Sequence, residues 1–92
     1  MTPPTHLDGA RVLAWAWPDL PFSHVTDEHA GAAPIAIHGL AVCRYGDEAC
    51  AYRFCCDARW ETVQDEVYAS VEEAREQLPA QYRAVAATWQ TP

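Results

Sequence analysis

Lysine and asparagine are missing from this 92-residue chain, and glycine occurs only 4 times. Without lysine there is no amine for Schiff-base chemistry and no P-loop ammonium. Four glycines with no G-X-Y period exclude a collagen-like chain. Bases are scarce. All 6 are arginines (Arg11, Arg44, Arg53, Arg59, Arg75 and Arg83), set against 13 acids, for a net charge of −7. Nucleic-acid binding through phosphates needs basic patches, so no nucleic-acid partner is expected. No apolar run approaches the ~18–20 residues of a transmembrane helix, so no membrane partner is expected either. Met1 to Pro21 lacks a basic start, and its apolar stretch, Val12 to Trp17, falls short of the ~7–15 residues of a signal peptide. A cytoplasmic protein with reduced thiols is the expectation. An alanine-rich, lysine-free composition is what a GC-rich genome produces, and it carries no mechanism.

What is present makes a folded chain. Half of the residues are hydrophobic and 21% are charged, which is too apolar for intrinsic disorder. The length suits one small domain over residues 1–92. Such a domain buries roughly 60–65% of its unfolded surface, a thin margin. Four tryptophans, 4 tyrosines and 2 phenylalanines supply large apolar area for one core.

The chain divides into three parts. Residues 1–34 hold five of the 7 prolines and read as an irregular N-terminal part. Within it, residues 10–17 fit either a strand, with Leu13, Trp15 and Trp17 on one face, or a short helix after Asp8. Residues 35–68 read as a β-meander. Ile35 to Cys43 leads into a turn at Tyr45–Ala49 and a return strand, Cys50 to Cys56. Alternation puts Cys50, Tyr52, Phe54 and Cys56 on one face, and Ala51, Arg53 and Cys55 on the other. Asp57 to Arg59 turns into a third strand, Trp60 to Tyr68. Its period breaks, which predicts a bulge near Gln64–Glu66. Residues 70–89 read as a helical segment. Ser70 and Glu73 form a capping box, and Glu72, Glu73 and Glu76 suit the positive end of the helix dipole. Val71, Ala74, Leu78, Tyr82, Val85 and Trp89 form one apolar stripe, with a kink or break at Pro79. The expected fold class is α+β: an antiparallel β-meander of three to four strands packed on one C-terminal helical segment.

The run from Tyr52 carries an F-x-C-D-x-x-W turn, then an Asp before a Tyr, then a Y-x-S-x-E-E-A helix start. The residues are Phe54, Cys56, Asp57, Trp60, Asp65, Tyr68, Ser70, Glu72, Glu73 and Ala74. Over roughly the last 40 residues the chain resembles a group of small uncharacterised bacterial proteins. The resemblance implies a β-meander-plus-helix domain and no particular activity.

Candidate chemistry is sparse. Cys43, Cys50, Cys55 and Cys56 lack the paired C-x2-4-C spacing of a structural zinc site. Cys55 and Cys56 are adjacent in a strand and point to opposite faces. Cysteine is among the most buried residue types, so core packing is the plain reading of Cys50 and Cys56. The hairpin register decides whether Cys43 and Cys50 face each other closely enough to pair. His24, Asp27 and His29 are plausible first-row metal ligands, although their spacing matches no motif with known mechanics and also suits a polar surface loop. Ser23, His24 and Asp27 make a poor triad, because no G-x-S-x-G elbow exposes the serine. His38 reads as a structural histidine in a strand. No cofactor motif is present.

From Asp57 to Glu76 seven acids face two arginines, a net −5. A field of one sign speeds association with an oppositely charged partner. Glu66, Glu72 and Glu76 are therefore candidate contacts, together with Trp15 and Trp17, since tryptophan is enriched at binding hot spots. The expected function is that of a non-enzymatic interaction module. Its partner is another protein, basic in charge, or a second copy pairing through an open sheet edge. The alternative is a metal- or thiol-dependent protein using His24, Asp27, His29 and cysteines.

Overall fold

The computed structural model describes residues 2–25, 34–77 and 89–92. The described residues are mostly antiparallel sheet with one short helix. The strands are β1 (His6–Leu7), β2 (Ala10–Ala16), β3 (Ser23–Val25), β4 (Ile35–Ile37), β5 (Gly39–Arg44), β6 (Ala51–Cys56) and β7 (Thr62–Tyr68); the helix α1 is Val71–Glu76. Five strands form one sheet in the order β1-β2-β5-β6-β7, and β3 and β4 form a two-stranded sheet. Among the described residues no helix is long and apolar enough to cross a membrane.

The α+β class holds, but the strand count of the expected meander does not. The meander is the β5-β6-β7 part of a wider sheet. Residues 1–34, expected to be irregular, supply β1, β2 and β3. Of residues 10–17, Ala10–Ala16 form strand and Trp17 lies just past its end, and β2 lies antiparallel against β5 with Val12 opposite Cys43 and Trp15 opposite Ala41. The start of β2 is set by a two-residue hairpin. Asp8 and Gly9 both adopt positive φ, +49° and +85°, as a type I′ turn requires. The register of β2 shifts between Val12 and Ala14. That bulge puts Val12 and Trp15 on one face and turns Ala14 and Ala16 to the other, so Leu13 leaves the row it was expected to share with Trp15 and Trp17.

The expected first strand of the hairpin, Ile35 to Cys43, is split at His38. β4 pairs with β3, while β5 pairs with β2 and β6. The third strand starts at Thr62 rather than Trp60. Asp57 causes this. Its Oδ1 accepts the N–H groups of Arg59 (2.8 Å) and Glu61 (3.0 Å), and its own N–H donates to the Glu61 carbonyl (3.0 Å). The longer turn leaves Trp60 at φ +61°, a conformation bulky residues rarely take. The register shift lies between the Cys55–Gln64 and Cys56–Thr62 pairs, one residue earlier than the expected bulge at Gln64–Glu66.

Alternation along β6 sorts the core as the sequence predicts. Phe54 and Cys56 pack with Val12, Trp15, Ala41, Cys43 and Trp60 on one face. On the other, Cys55 joins Ala16, Phe22, Ile37 and Leu40, while Ala51 joins Ala14, Val42 and Ala74 of α1. Full burial of a side chain such as Phe54 or Leu40 contributes about 1.5–3 kcal/mol. Ser70 caps α1 by accepting the Glu73 N–H (3.1 Å), and the Glu73 carboxylate reaches back to the Ala69 N–H (3.0 Å). The kink at Pro79 and the stripe residues Leu78, Tyr82 and Val85 lie outside the described residues; Trp89, at its end, is half-buried.

Candidate functional site

Aromatic residues crowd one face of the five-stranded sheet. At one end of that face Trp15, Trp17 and Trp60 meet, with Trp60 edge-on to Trp15 (6.2 Å between centroids) and 5.0 Å from Trp17. The His38 ring stacks on Trp17 at 5.6 Å, and the His38 backbone N–H donates to the Cys56 carbonyl (2.9 Å). Gly39 makes room for this group. A Cβ there would lie 2.6 Å from Trp60 Cζ3 and 2.9 Å from Trp17 Cε3.

At the other end stand Tyr45 and Tyr52, edge to face at 5.2 Å, with Phe54 beside Tyr52. Acids surround them. Burial, and then the carboxylates of Asp8 and Asp65, pushes the Tyr45 phenol above its ordinary range. Neighbouring Cys50 and Glu48 do the same to Tyr52. Asp65 reaches this group because β7 lies beside β6 with Phe54 opposite Asp65 and Tyr52 opposite Val67. Tyr52, Asp65, Glu66 and Val67 line an open hollow of about 450 Å³ at the sheet margin. Val67 is 59% exposed there, a large apolar side chain left in water.

The opposite face of the same margin is tied to α1. Arg53 is 1% exposed, and its Nη1 donates to the Gln77 carbonyl at the end of the helix (2.5 Å). Its guanidinium lies 5.1 Å over the Tyr68 ring, with Nη2 3.9 Å from Glu66 Oε2. Tyr68 Oη donates to the same carboxylate (2.7 Å). Burial and that hydrogen bond push Tyr68 up to about 12, opposed in part by Arg53. Glu66 is therefore held in place by two neighbours.

The two margins of the sheet differ. On the β2 side, β1 covers the first residues, and Trp15 exchanges two backbone hydrogen bonds with Gln90 (2.9 and 2.8 Å). On the other side, β7 pairs with β6 alone among the described residues. No family model, curated protein or solved structure matches this chain.

The structure separates the residues singled out in the sequence. Glu66 lies on β7, and Glu72 and Glu76 are exposed one turn apart on α1. Glu66 is linked to the end of α1 through Arg53, Tyr68 and Gln77. Trp15 is 8% exposed and belongs to the core, while Trp17 is half-buried. His24 is exposed on β3; Asp27 and His29 lie outside the described residues. Among the described residues no group of three or more His, Cys, Asp or Glu side chains is placed to hold a metal ion. None of the four cysteines is in a disulfide. Cys43 stands opposite Tyr52, so the register does not set it directly across from Cys50. Burial pushes the Cys43 and Cys56 thiols up to about 12, which leaves them protonated and unreactive at neutral pH. Sequence reasoning missed Tyr45, Tyr52 and Asp65 as a group. Their meeting depends on strand order, although the alternation that put Tyr52 beside Phe54 was a usable signal.

Proposed function

We propose that this chain is a non-enzymatic protein-binding module that docks a basic partner on the open margin formed by β7 and its acids. The observation that carries the reading is the unequal treatment of the two sheet margins. The opposite edge strand, β1, is two residues long, and Gln90 covers Trp15 beyond it, while β7 offers seven residues paired on one side alone among the described residues. An unpaired strand presents a row of backbone donors and acceptors, ready for another chain. Asp65 and Glu66 on β7, and Glu72 and Glu76 on α1, give that side a negative field, which attracts a basic protein. The buried, protonated thiols favour packing over chemistry for Cys43 and Cys56.

The test uses two chains, wild type and E66K/E72K/E76K, immobilised and exposed to extract of the host cells. A protein retained by the wild type, lost from the charge-reversed chain and released by 1 M salt is the expected result, because ~1 M salt shortens the screening length to roughly 3 Å. The same protein retained by both chains in high salt, or by neither chain at low salt, refutes the reading.

A further inference from the structure

We infer that the partner contributes an extended, basic segment that adds to the sheet as a sixth strand along β7, with an arginine or lysine seated over Tyr52 beside Asp65. This rests on the interaction-module reading and specifies how the partner is held. Three features of the margin lead to it.

The first is the backbone. β7 runs for seven residues, Thr62–Tyr68, and pairs with β6 alone among the described residues. Four of its residues, Gln64 to Val67, are exposed. A strand is the occupant that satisfies such a row, since main-chain hydrogen bonds supply affinity and alternate side chains supply specificity.

The second is the chemistry along the strand. Residues opposite one another on β6 and β7 share a face, so Asp65 and Val67 flank the Phe54 and Tyr52 rings. Glu66 lies on the helix face, opposite Arg53. An added strand alternates in the same way. On the aromatic face, a cationic side chain beside Asp65 meets a carboxylate and the Tyr52 ring together, a pairing that combines Coulomb and cation–π attraction. An apolar neighbour two residues along covers Val67. The tyrosines sit in a field made negative by Asp8, Glu48 and Asp65, which reinforces the preference for a cation.

The third disfavours a second copy of this chain. Two β7 strands paired antiparallel about their midpoint put Asp65 opposite Asp65. A shift of one residue in one direction puts Asp65 opposite Glu66 twice, and a further shift puts Glu66 opposite Glu66; a shift the other way sets Asp65 against Gln64, without facing acids, and still brings all four acids of the two strands to one seam. Like charges directly opposite are destabilising in a sheet, and each copy brings a net −7. The same side chains that repel a copy attract a basic strand.

The experiment uses an acetylated, amidated heptapeptide, Thr-Val-Arg-Arg-Thr-Val-Thr, which paired antiparallel sets its central arginine against Asp65, its first valine against Val67 and its other arginine against Glu66, and a counterpart with glutamate for both arginines, each titrated into the isotopically labelled full chain. The arginine peptide is expected to shift and protect from exchange alternate β7 amides between Thr62 and Tyr68, with the glutamate peptide inert. D65N, a surface change that leaves the fold intact, is expected to weaken the arginine peptide about threefold. Two N-methylated peptides, blocked on alternate amides of opposite parity, are expected to differ by about tenfold, because one parity faces β7 and loses its hydrogen bonds. Equal affinity of the two parities, or shifts confined to α1 around Glu72 and Glu76, overturns the strand inference and leaves the module reading standing. No shift by the arginine peptide at millimolar concentration also overturns it. If in addition no host protein distinguishes wild type from E66K/E72K/E76K, the module reading falls with it.

Discussion

Gly39→Ala is the sharpest probe of the core, because backbone and packing effects separate cleanly there. Gly39 pairs with Cys56 inside the sheet and, unlike Gly9 and Gly46, has no positive φ. Alanine therefore meets no backbone strain at this position. Its methyl group meets two indoles instead, at 2.6 Å from Trp60 Cζ3, 2.7 Å from Trp60 Cη2 and 2.9 Å from Trp17 Cε3. An sp³ carbon needs roughly 3.5–4.0 Å from a ring carbon, so the Trp60 ring must retreat by about 1 Å. That ring is 5% exposed and held between Trp15 and Trp17, so it has little room to move. Overpacking of this kind costs about 1–3 kcal/mol, and the rigid neighbours put G39A near the upper end. For a domain of this size, about 2.5 kcal/mol lowers Tm by roughly 10–20 °C. Urea unfolding followed by tryptophan fluorescence measures the change. W60F removes the two closest ring carbons and opens a cavity, at a cost of its own. Against that background G39A is expected to cost at least about 1 kcal/mol less than in the wild type, a coupling that a double-mutant cycle isolates. Additive costs, or a G39A midpoint equal to that of the wild type, would refute the packing argument.

Three further outcomes follow from the same contacts. Asp57→Ala removes the acceptor for the Arg59 and Glu61 N–H groups and is expected to cost about 1–2 kcal/mol in urea unfolding, with D57N costing less because one acceptor oxygen remains. Stability is expected to fall as pH rises from about 9 toward 12. Cys43, Cys56 and Tyr68 are pushed up to about 12 in the folded chain, whereas the unfolded chain releases these protons at the ordinary values of 9.0 and 10.0. In that window the folded state binds more protons, and each core thiol adds a slope of about 1.4 kcal/mol per pH unit. Urea midpoints at pH 8, 10 and 11 check this, and a flat profile contradicts it. Arg53→Ala removes the shorter of the two hydrogen bonds to the Gln77 carbonyl and opens a cavity, and is expected to cost about 2–3 kcal/mol. R53M keeps the stem in place and is expected to cost less in the same assay.

The parts of the fold legible in the sequence are those set by local periodicity. The two faces of β6 follow from a strict alternation, Tyr52-Phe54-Cys56 against Ala51-Arg53-Cys55, and the α1 cap follows from Ser70 and Glu73. The pairing of β2 with β5 is not local. It brings Trp15 to Ala41, and nothing within either segment names the other. Asp8-Gly9 did carry a readable hairpin signal, but with only two residues of β1 beyond it there was no alternation to support a strand. Arg53 is the instructive case. A charged residue on an alternating strand reads as facing water, yet it is buried because the Gln77 carbonyl, 24 positions away, arrives to accept its hydrogen bond. The candidate site was legible in its charge, through Glu66, and hidden in its aromatic half. Tyr45 and Tyr52 became a surface feature once Asp65, two strands across from Tyr45, was brought beside them.

The order β1-β2-β5-β6-β7 also imposes an order in time. Six residues separate β5 from β6, whereas 22 separate β2 from β5. Closing the longer loop costs about 1 kcal/mol more in chain entropy. The three-strand meander is therefore expected to assemble first, with the β1-β2 hairpin docking onto it afterwards. During that interval the outer side of β5 stands bare, and it fits the β1-β2 hairpin of any identical molecule as well as its own. At high protein concentration, refolding is then a contest between closing one's own sheet and trading hairpins with a neighbour, and swapped dimers are expected to accumulate by speed of encounter rather than by any added stability.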